Sequence, residues 1–264
     1  MATDKKNYVL GRGKLYFDPF APGTKTKTGE RYLGNTTEFN LNVESESLDH
    51  FNSDEGVRTK DDSVILELTR TGALTTDNIS EENAALFVLG DVSEVSQTAD
   101  PVVGESINEG GNLLPDRYYQ LGTSASNPQG VRGVTAVTVS DDSATPVGAV
   151  EGTDYTLDAA LGRIYILEGG MFDGTKGATV DYTPEANTRK RVSTNAAASV
   201  EGALRFVSFN AKGKQKDVYI PYVTLQPTGD WALKGDDWQN MGFSVEIGEL
   251  EGMKAVYVDG RPAA

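Results

Sequence analysis

An all-β fold with one short helix is what this 264-residue sequence predicts, and three observations predict it. Its 29 glycines and 10 prolines are scattered among Thr, Val and Asp, while long stretches of Leu, Ala, Glu and Lys are missing. That balance favours short strands joined by turns. Alternation of period two then occurs near both ends: Thr37, Phe39, Leu41 and Val43 between Glu38, Asn40, Asn42 and Glu44, and Phe243, Val245 and Ile247 around Ser244 and Glu246. This is the pattern of strands with one buried and one wet face. Finally, only the stretch Asp77 to Gly90 carries both a start and a stop for a helix.

Taken in chain order, Tyr8, Leu10, Leu15 and Phe17 around Gly11-Arg12-Gly13 predict an opening strand kinked at the glycines, followed by a loop from Asp18 to Gly29. Thr36 to Glu46 is a half-buried strand. The polar run Ser47 to Lys60 is a loop, and Val64, Leu66 and Leu68, alternating with Ile65, Glu67 and Thr69, form the returning strand of a hairpin whose tip lies far from the core. In the helix, Ser80 or Asp77 caps the start, Glu81 and Glu82 complement the dipole, Gly90 closes the end, and Ile79, Leu86, Phe87 and Leu89 pack on a sheet.

From about Gln97 to Pro184 short β runs separated by Gly- and Ser-containing turns read as an independent module: Val134 to Val139, Tyr155 to Leu157, Arg163 to Leu167 and Ala178 to Tyr182. Polar Glu185 to Asn195 is its return linker. Long strands resume at Ser199 to Phe209, Lys216 to Leu225 and Met241 to Leu250. The division predicted is therefore a core in two parts, 1–96 and 189–264, interrupted by a small immunoglobulin-like or similar β domain at 97–188.

With 24 Lys and Arg against 39 Asp and Glu, the net charge of −15 repels nucleic acid. Absence of cysteine removes disulfides and thiolate metal sites. The polar N-terminus lacks a signal-peptide core and no apolar run nears the ~20 residues of a membrane helix, so a soluble product with no membrane partner is expected.

Signals for catalysis are thin. His50 is the only histidine, and although Asp49 and Ser53 adjoin it, no Gly-x-Ser-x-Gly elbow presents a nucleophile. Gly11-x-Gly13 lacks the third glycine and the helix of a dinucleotide site. The acid pairs Asp61-Asp62, Asp141-Asp142 and Asp236-Asp237 fit turns better than metal loops. Arg189-Lys190-Arg191 and the Lys212, Lys214, Lys216 group suit an acidic neighbour. No enzyme activity, cofactor or metal is expected, and Trp231 and Trp238 are the residues a carbohydrate-binding or carbohydrate-cleaving module would use.

The sequence resembles the major tail, or tail tube, proteins of long non-contractile-tailed bacteriophages. The resemblance rests on Gly13-Lys14-Leu15-Tyr16-Phe17-Asp18, on Gly29 to Phe39, on Leu48-Asp49-His50-Phe51-Asn52-Ser53-Asp54-Glu55-Gly56-Val57-Arg58, and on the order of the helix and the Val218 to Pro227 run. It covers roughly 6–95 and 200–260. It implies a β-sandwich with a flanking helix, assembled as stacked hexameric rings in the virion tail after synthesis in the host cytoplasm.

The partners it implies are copies of the same chain, a tape measure protein, a tail terminator and baseplate or tip proteins, with DNA passing through the lumen unbound. If Phe39, Leu41 and Val43 face the core, then Glu38, Asn40, Asn42 and Glu44 face the channel, joined by Glu67 and Glu246. The hairpin loop with Asp49, His50, Phe51, Asp54, Glu55 and Arg58 would reach the adjacent ring. A capsid decoration or tail-terminator protein would have a similar composition.

Overall fold

The computed structural model describes residues 7–54, 56–195 and 199–262. Among these, the strands in chain order are β1 (Gly13–Pro19), β2 (Arg31–Tyr32), β3 (Thr36–Asn52) and β4 (Thr59–Thr76), followed by the helix α1 (Glu81–Phe87). Next come β5 (Gly90–Gln97), β6 (Val102–Ser106), β7 (Tyr118–Gln120), β8 (Val134–Asp141), β9 (Tyr155–Asp158), β10 (Arg163–Ile166), β11 (Ala178–Pro184) and β12 (Asn187–Thr194). The chain ends with β13 (Val200–Ser208), β14 (Lys216–Thr228), β15 (Met241–Ile247) and β16 (Tyr257–Gly260). The protein is mostly β, with one short α-helix.

Two compact units divide the chain, residues 1–93 with 191–264, and residues 94–190. In the first, one antiparallel sheet runs in the order β2-β1-β13-β14-β15-β4-β3, with β16 paired to the first half of β14. Leu15 and Phe17 of β1, Leu204 of β13, Ile220 and Val223 of β14 and Met241, Phe243 and Val245 of β15 are buried on one face. The sheet coils around this core: Phe39 of β3 meets Phe206 of β13, four strands away, with ring centroids 6.0 Å apart. Strand twist makes such closure natural, and two facing layers result from one continuous sheet.

Helix α1 covers the same core, Phe87 standing edge-on to Phe243 at 5.9 Å. Ser80 is its N-cap, the hydroxyl accepting from the Asn83 backbone N–H at 3.2 Å. The end differs from expectation: Leu89, not Gly90, takes the left-handed conformation (φ 52°). Gly90 already belongs to β5, where an added Cβ would lie 2.1 Å from the Ser193 carbonyl oxygen. Its glycine serves a close backbone approach.

Two corrections concern segments read as loops. Glu185 to Asn195 contains β12, which pairs with β5 in a two-stranded ribbon. Ser47 to Lys60 is largely strand, because β3 and β4 stay paired out to Asn52 and Thr59.

The second unit packs two three-stranded sheets, β7-β10-β9 and β6-β11-β8, around Ile107, Leu113, Leu121, Val139, Ile164, Ile166, Phe172 and Val180. Alternation is clean in the central strand β11, where Ala178, Val180 and Tyr182 are buried. Asp141, at the end of β8, is only 1% exposed. It accepts from the Val147 N–H and the Ser143 hydroxyl, both at 2.8 Å, and from Lys176 at 3.0 Å.

These donors hold the Asp141 carboxyl at a pKa of about 2, the Val147 backbone bond contributing most. Its folded value lies below the unfolded one of about 3.9. The carboxylate therefore stabilises the unit fully above about pH 4, and that contribution is lost as pH falls through about 2. Asp141→Asn is expected to flatten this acid limb in the melting temperature of the second unit between pH 5 and 2. An unchanged pH profile would show that other carboxylates set it.

Candidate functional site

The β3–β4 hairpin and its neighbour β15 carry the expected channel residues, and register decides which face each occupies. Directly opposed residues of antiparallel strands share a face. Phe39 opposes Leu74, Leu41 opposes Gly72 and Val43 opposes Arg70; Leu74 opposes Phe243 on its other side, so this is the core-side face. The other face receives Glu38 opposite Thr75, Asn40 opposite Ala73, Asn42 opposite Thr71, Glu44 opposite Thr69, and Glu46 opposite Glu67. Glu246 opposes Thr71 from β15. Glu38, Asn40, Asn42, Glu44, Glu67 and Glu246 thus lie together on one face of the sheet.

Neighbouring amides and hydroxyls order that acidic strip. Asn40 Nδ2 donates to Glu38 Oε1 at 2.5 Å, Asn42 Nδ2 to Glu44 Oε1 at 2.7 Å, and Thr69 Oγ1 to Glu67 Oε1 at 3.1 Å. Glu46 belongs to the strip and was missed from sequence, although its spacing of two from Glu44 was the available signal. On the same face, the far strands carry cations packed on tyrosines. Arg205 lies over the Tyr219 ring at 4.5 Å, and Lys25 lies over Tyr222 at 3.8 Å while pairing with Glu201 at 2.6 Å. Arg205 in turn pairs with Glu30 at 2.6 Å, so both cations are neutralised by carboxylates of their own subunit.

The hairpin outgrows its sheet. β15 accompanies β4 only as far as Thr71; beyond it, residues 43–52 and 59–70 form an arm two strands wide, about 30 Å long at 3.4 Å per residue. Val43 is 62% exposed and Ile65 67%, and Leu48, Val64, Leu66 and Leu68 are exposed as well. This overturns the expectation that Leu41 and Val43 are core residues: both share the core-side face with Phe39, but the sheet that would cover them ends at the arm's base. Two register shifts, at Glu46/Ser47 and at His50/Phe51, twist the arm along its length.

Of the residues expected in the hairpin loop, Asp49, His50 and Phe51 lie within β3 itself, Asp54 is in the tip and Arg58 immediately precedes β4. Glu55 lies outside the described residues. Asp49 Oδ1 accepts from Lys60 at 2.6 Å and from Ser63 Oγ at 2.7 Å, and these bonds hold its carboxyl below the usual range. His50 Nδ1 is 2.5 Å from Asp61 Oδ1, and the Arg58 guanidinium sits 5.1 Å from the Phe51 ring centre.

His50 opposes Asp62 on one face, whereas Asp49 opposes Ser63 on the next position and hence on the other. The Ser-His-Asp combination suggested by proximity in sequence is not assembled. Among the described residues no group of three or more His, Asp or Glu side chains is placed to hold a metal ion, and no helix is long and apolar enough to cross a membrane. Trp231 packs edge-on against Phe87 at 5.9 Å, and Trp238 is 94% exposed.

A family described as protein of unknown function UCP028589 matches residues 8–249. The chain belongs to that family. The UCP028589 match runs from ahead of β1 through β15 and so takes in both units, the arm and the acidic strip, while β16 lies beyond it. No curated protein matches the sequence.

Proposed function

We propose that the chain is a structural virion subunit that polymerises as stacked hexameric rings into the tail tube of a long non-contractile-tailed phage. One observation carries this reading: an arm with apolar side chains open to solvent on both faces, and an outer edge along all of β3 that no strand among the described residues pairs. Long exposed edges and large exposed apolar patches are what monomeric proteins avoid, and pairing with further copies covers both. The tape measure, terminator and tip proteins are the further partners this reading requires.

In the assembled ring the strip Glu38, Asn40, Asn42, Glu44, Glu46, Glu67 and Glu246 lines the bore. Its carboxylates repel phosphates, so DNA meets no adhesive surface and slides during ejection.

Electron microscopy of the purified protein tests the reading: hollow filaments are expected, and persistently monomeric protein would overturn it. Within virions, Glu38→Lys with Glu44→Lys is expected to leave tubes intact and to slow DNA release, because several phosphates at a time are retained in the bore. Unaltered release kinetics would remove the electrostatic part of the proposal.

A further inference from the structure

Strand β14 links two exposed surfaces of opposite charge. At its C-terminal end, residues 229–240 connect it to β15. This loop is anchored, since Trp231 is wedged against Phe87, its Nε1 donates to Gln239 Oε1 at 3.1 Å, and Gln239 Nε2 donates to the Leu233 carbonyl at 3.3 Å. What the anchored loop presents is Trp238 at 94% exposure, with Leu233, Asp230, Asp236 and Asp237 all exposed around it. Lys234 is exposed in the same loop, so its four charged residues leave a net charge of −2 beside a tryptophan whose large apolar face is uncovered among the described residues.

At the N-terminal end of β14, residues 209–215 turn back to β13. The segment before β1 is zipped onto this turn: Leu10 N–H donates to the Lys212 carbonyl at 3.0 Å, Arg12 N–H to Asn210 Oδ1 at 3.1 Å, and Phe209 N–H to the Arg12 carbonyl at 2.6 Å. The surface so formed is apolar and basic. Phe209 is 53% exposed, with Arg261 5.3 Å and Lys14 5.9 Å from its ring centre, and Val9 and Leu10 are exposed beside it. Lys212 and Lys214 are exposed and make no ion pair among the described residues.

Since β14 runs 13 residues, the two surfaces stand at its opposite ends, at most about 40 Å apart. We propose that they are the two halves of one head-to-tail contact, the Trp238 loop of one copy docking on the Phe209–Lys212–Lys214 surface of the next. This deepens the assembly reading and rests on it. Asp236 and Asp237 meet the lysines, the indole face receives a cation, as tryptophan does best among the aromatic residues, and Leu233 covers Val9 and Leu10. Because the halves differ and lie at opposite ends, each copy retains one free half, and the contact propagates along an axis instead of closing a dimer.

Absence of cysteine from the native chain makes the contact directly readable. Leu233→Cys and Ala211→Cys, both at exposed positions, are prepared separately, checked for fold by circular dichroism, mixed in equal amounts and oxidised. The mixture is expected to give a disulfide-linked pair in at least tenfold greater yield than either variant alone, and the chain carrying both cysteines a ladder of oligomers. Trp238→Ala should lower that yield about tenfold or more, as removal of a central interface tryptophan does. Lys212→Glu with Lys214→Glu should abolish it, and a partner carrying Asp236→Lys with Asp237→Lys should restore it.

A mixture that cross-links no better than the single variants overturns the proposal. Hollow filaments without the ladder would retain the tube and dismiss this contact; a ladder without hollow filaments would establish the contact and dismiss the tube.

Discussion

Phe17→Ala is expected to destabilise the first unit by about 3–5 kcal/mol, the range for removing a large aromatic side chain from a sealed core. Phe17 is fully buried at the centre of β1. Its ring lies against Gly202 of β13, where an added Cβ would be only 2.5 Å from it, so the two positions are fitted to one another. Neither a shift of β1, held between β2 and β13, nor a rotation of neighbouring side chains can refill the space without breaking pairing. Both tryptophans of the chain are in this unit, so denaturation followed by tryptophan fluorescence reports it selectively. Its midpoint should fall while that of the second unit, which has a separate core, stays in place. A loss below about 1 kcal/mol would mean that the core is far more plastic than close packing implies.

Val43→Asn, Ile65→Asn and Leu68→Asn combined are expected to abolish assembly and leave the melting temperature of the isolated subunit nearly unchanged. All three are exposed, on the core-side face of the arm beyond the end of β15. In the subunit alone they bury little, so their loss costs little. In an assembly each would contribute about 1.5–3 kcal/mol by leaving water, and together they account for a weakening of at least 100-fold. Sedimentation velocity beside electron microscopy reads both consequences. Filaments of normal length from the triple variant would show that the arm's apolar face is not the adhesive surface.

The contrast between these substitutions marks what the sequence can disclose. Phe39, Leu41 and Val43 alternate so regularly that a strand, and a common face, follow from them. Period two states which side chains stand together; it does not state what covers them, and only Phe39 reaches the core. Polarity misled at Ser47 to Lys60, where Asp49, Lys60 and Ser63 satisfy one another across the strands and let pairing continue through residues that usually break it. The N-cap at Ser80 was legible because capping is local. The meeting of Phe39 with Phe206 was not, because sheet coiling accumulates over many strands. The acidic strip was legible to the extent that register follows alternation, and Glu46 shows that the strip extends further along β3.

The β5–β12 ribbon has a consequence for how this chain could have been built. Where Gly90 abuts Ser193, the Leu89 carbonyl receives the Asn195 N–H at 3.1 Å, and Asn195 Nδ2 reaches Asp91 at 3.0 Å. Departure and return are thus stitched side by side, about one strand spacing apart. A turn of a few residues could bridge that gap, so the intervening cargo is a passenger that a gene can acquire, exchange or shed without re-threading its host.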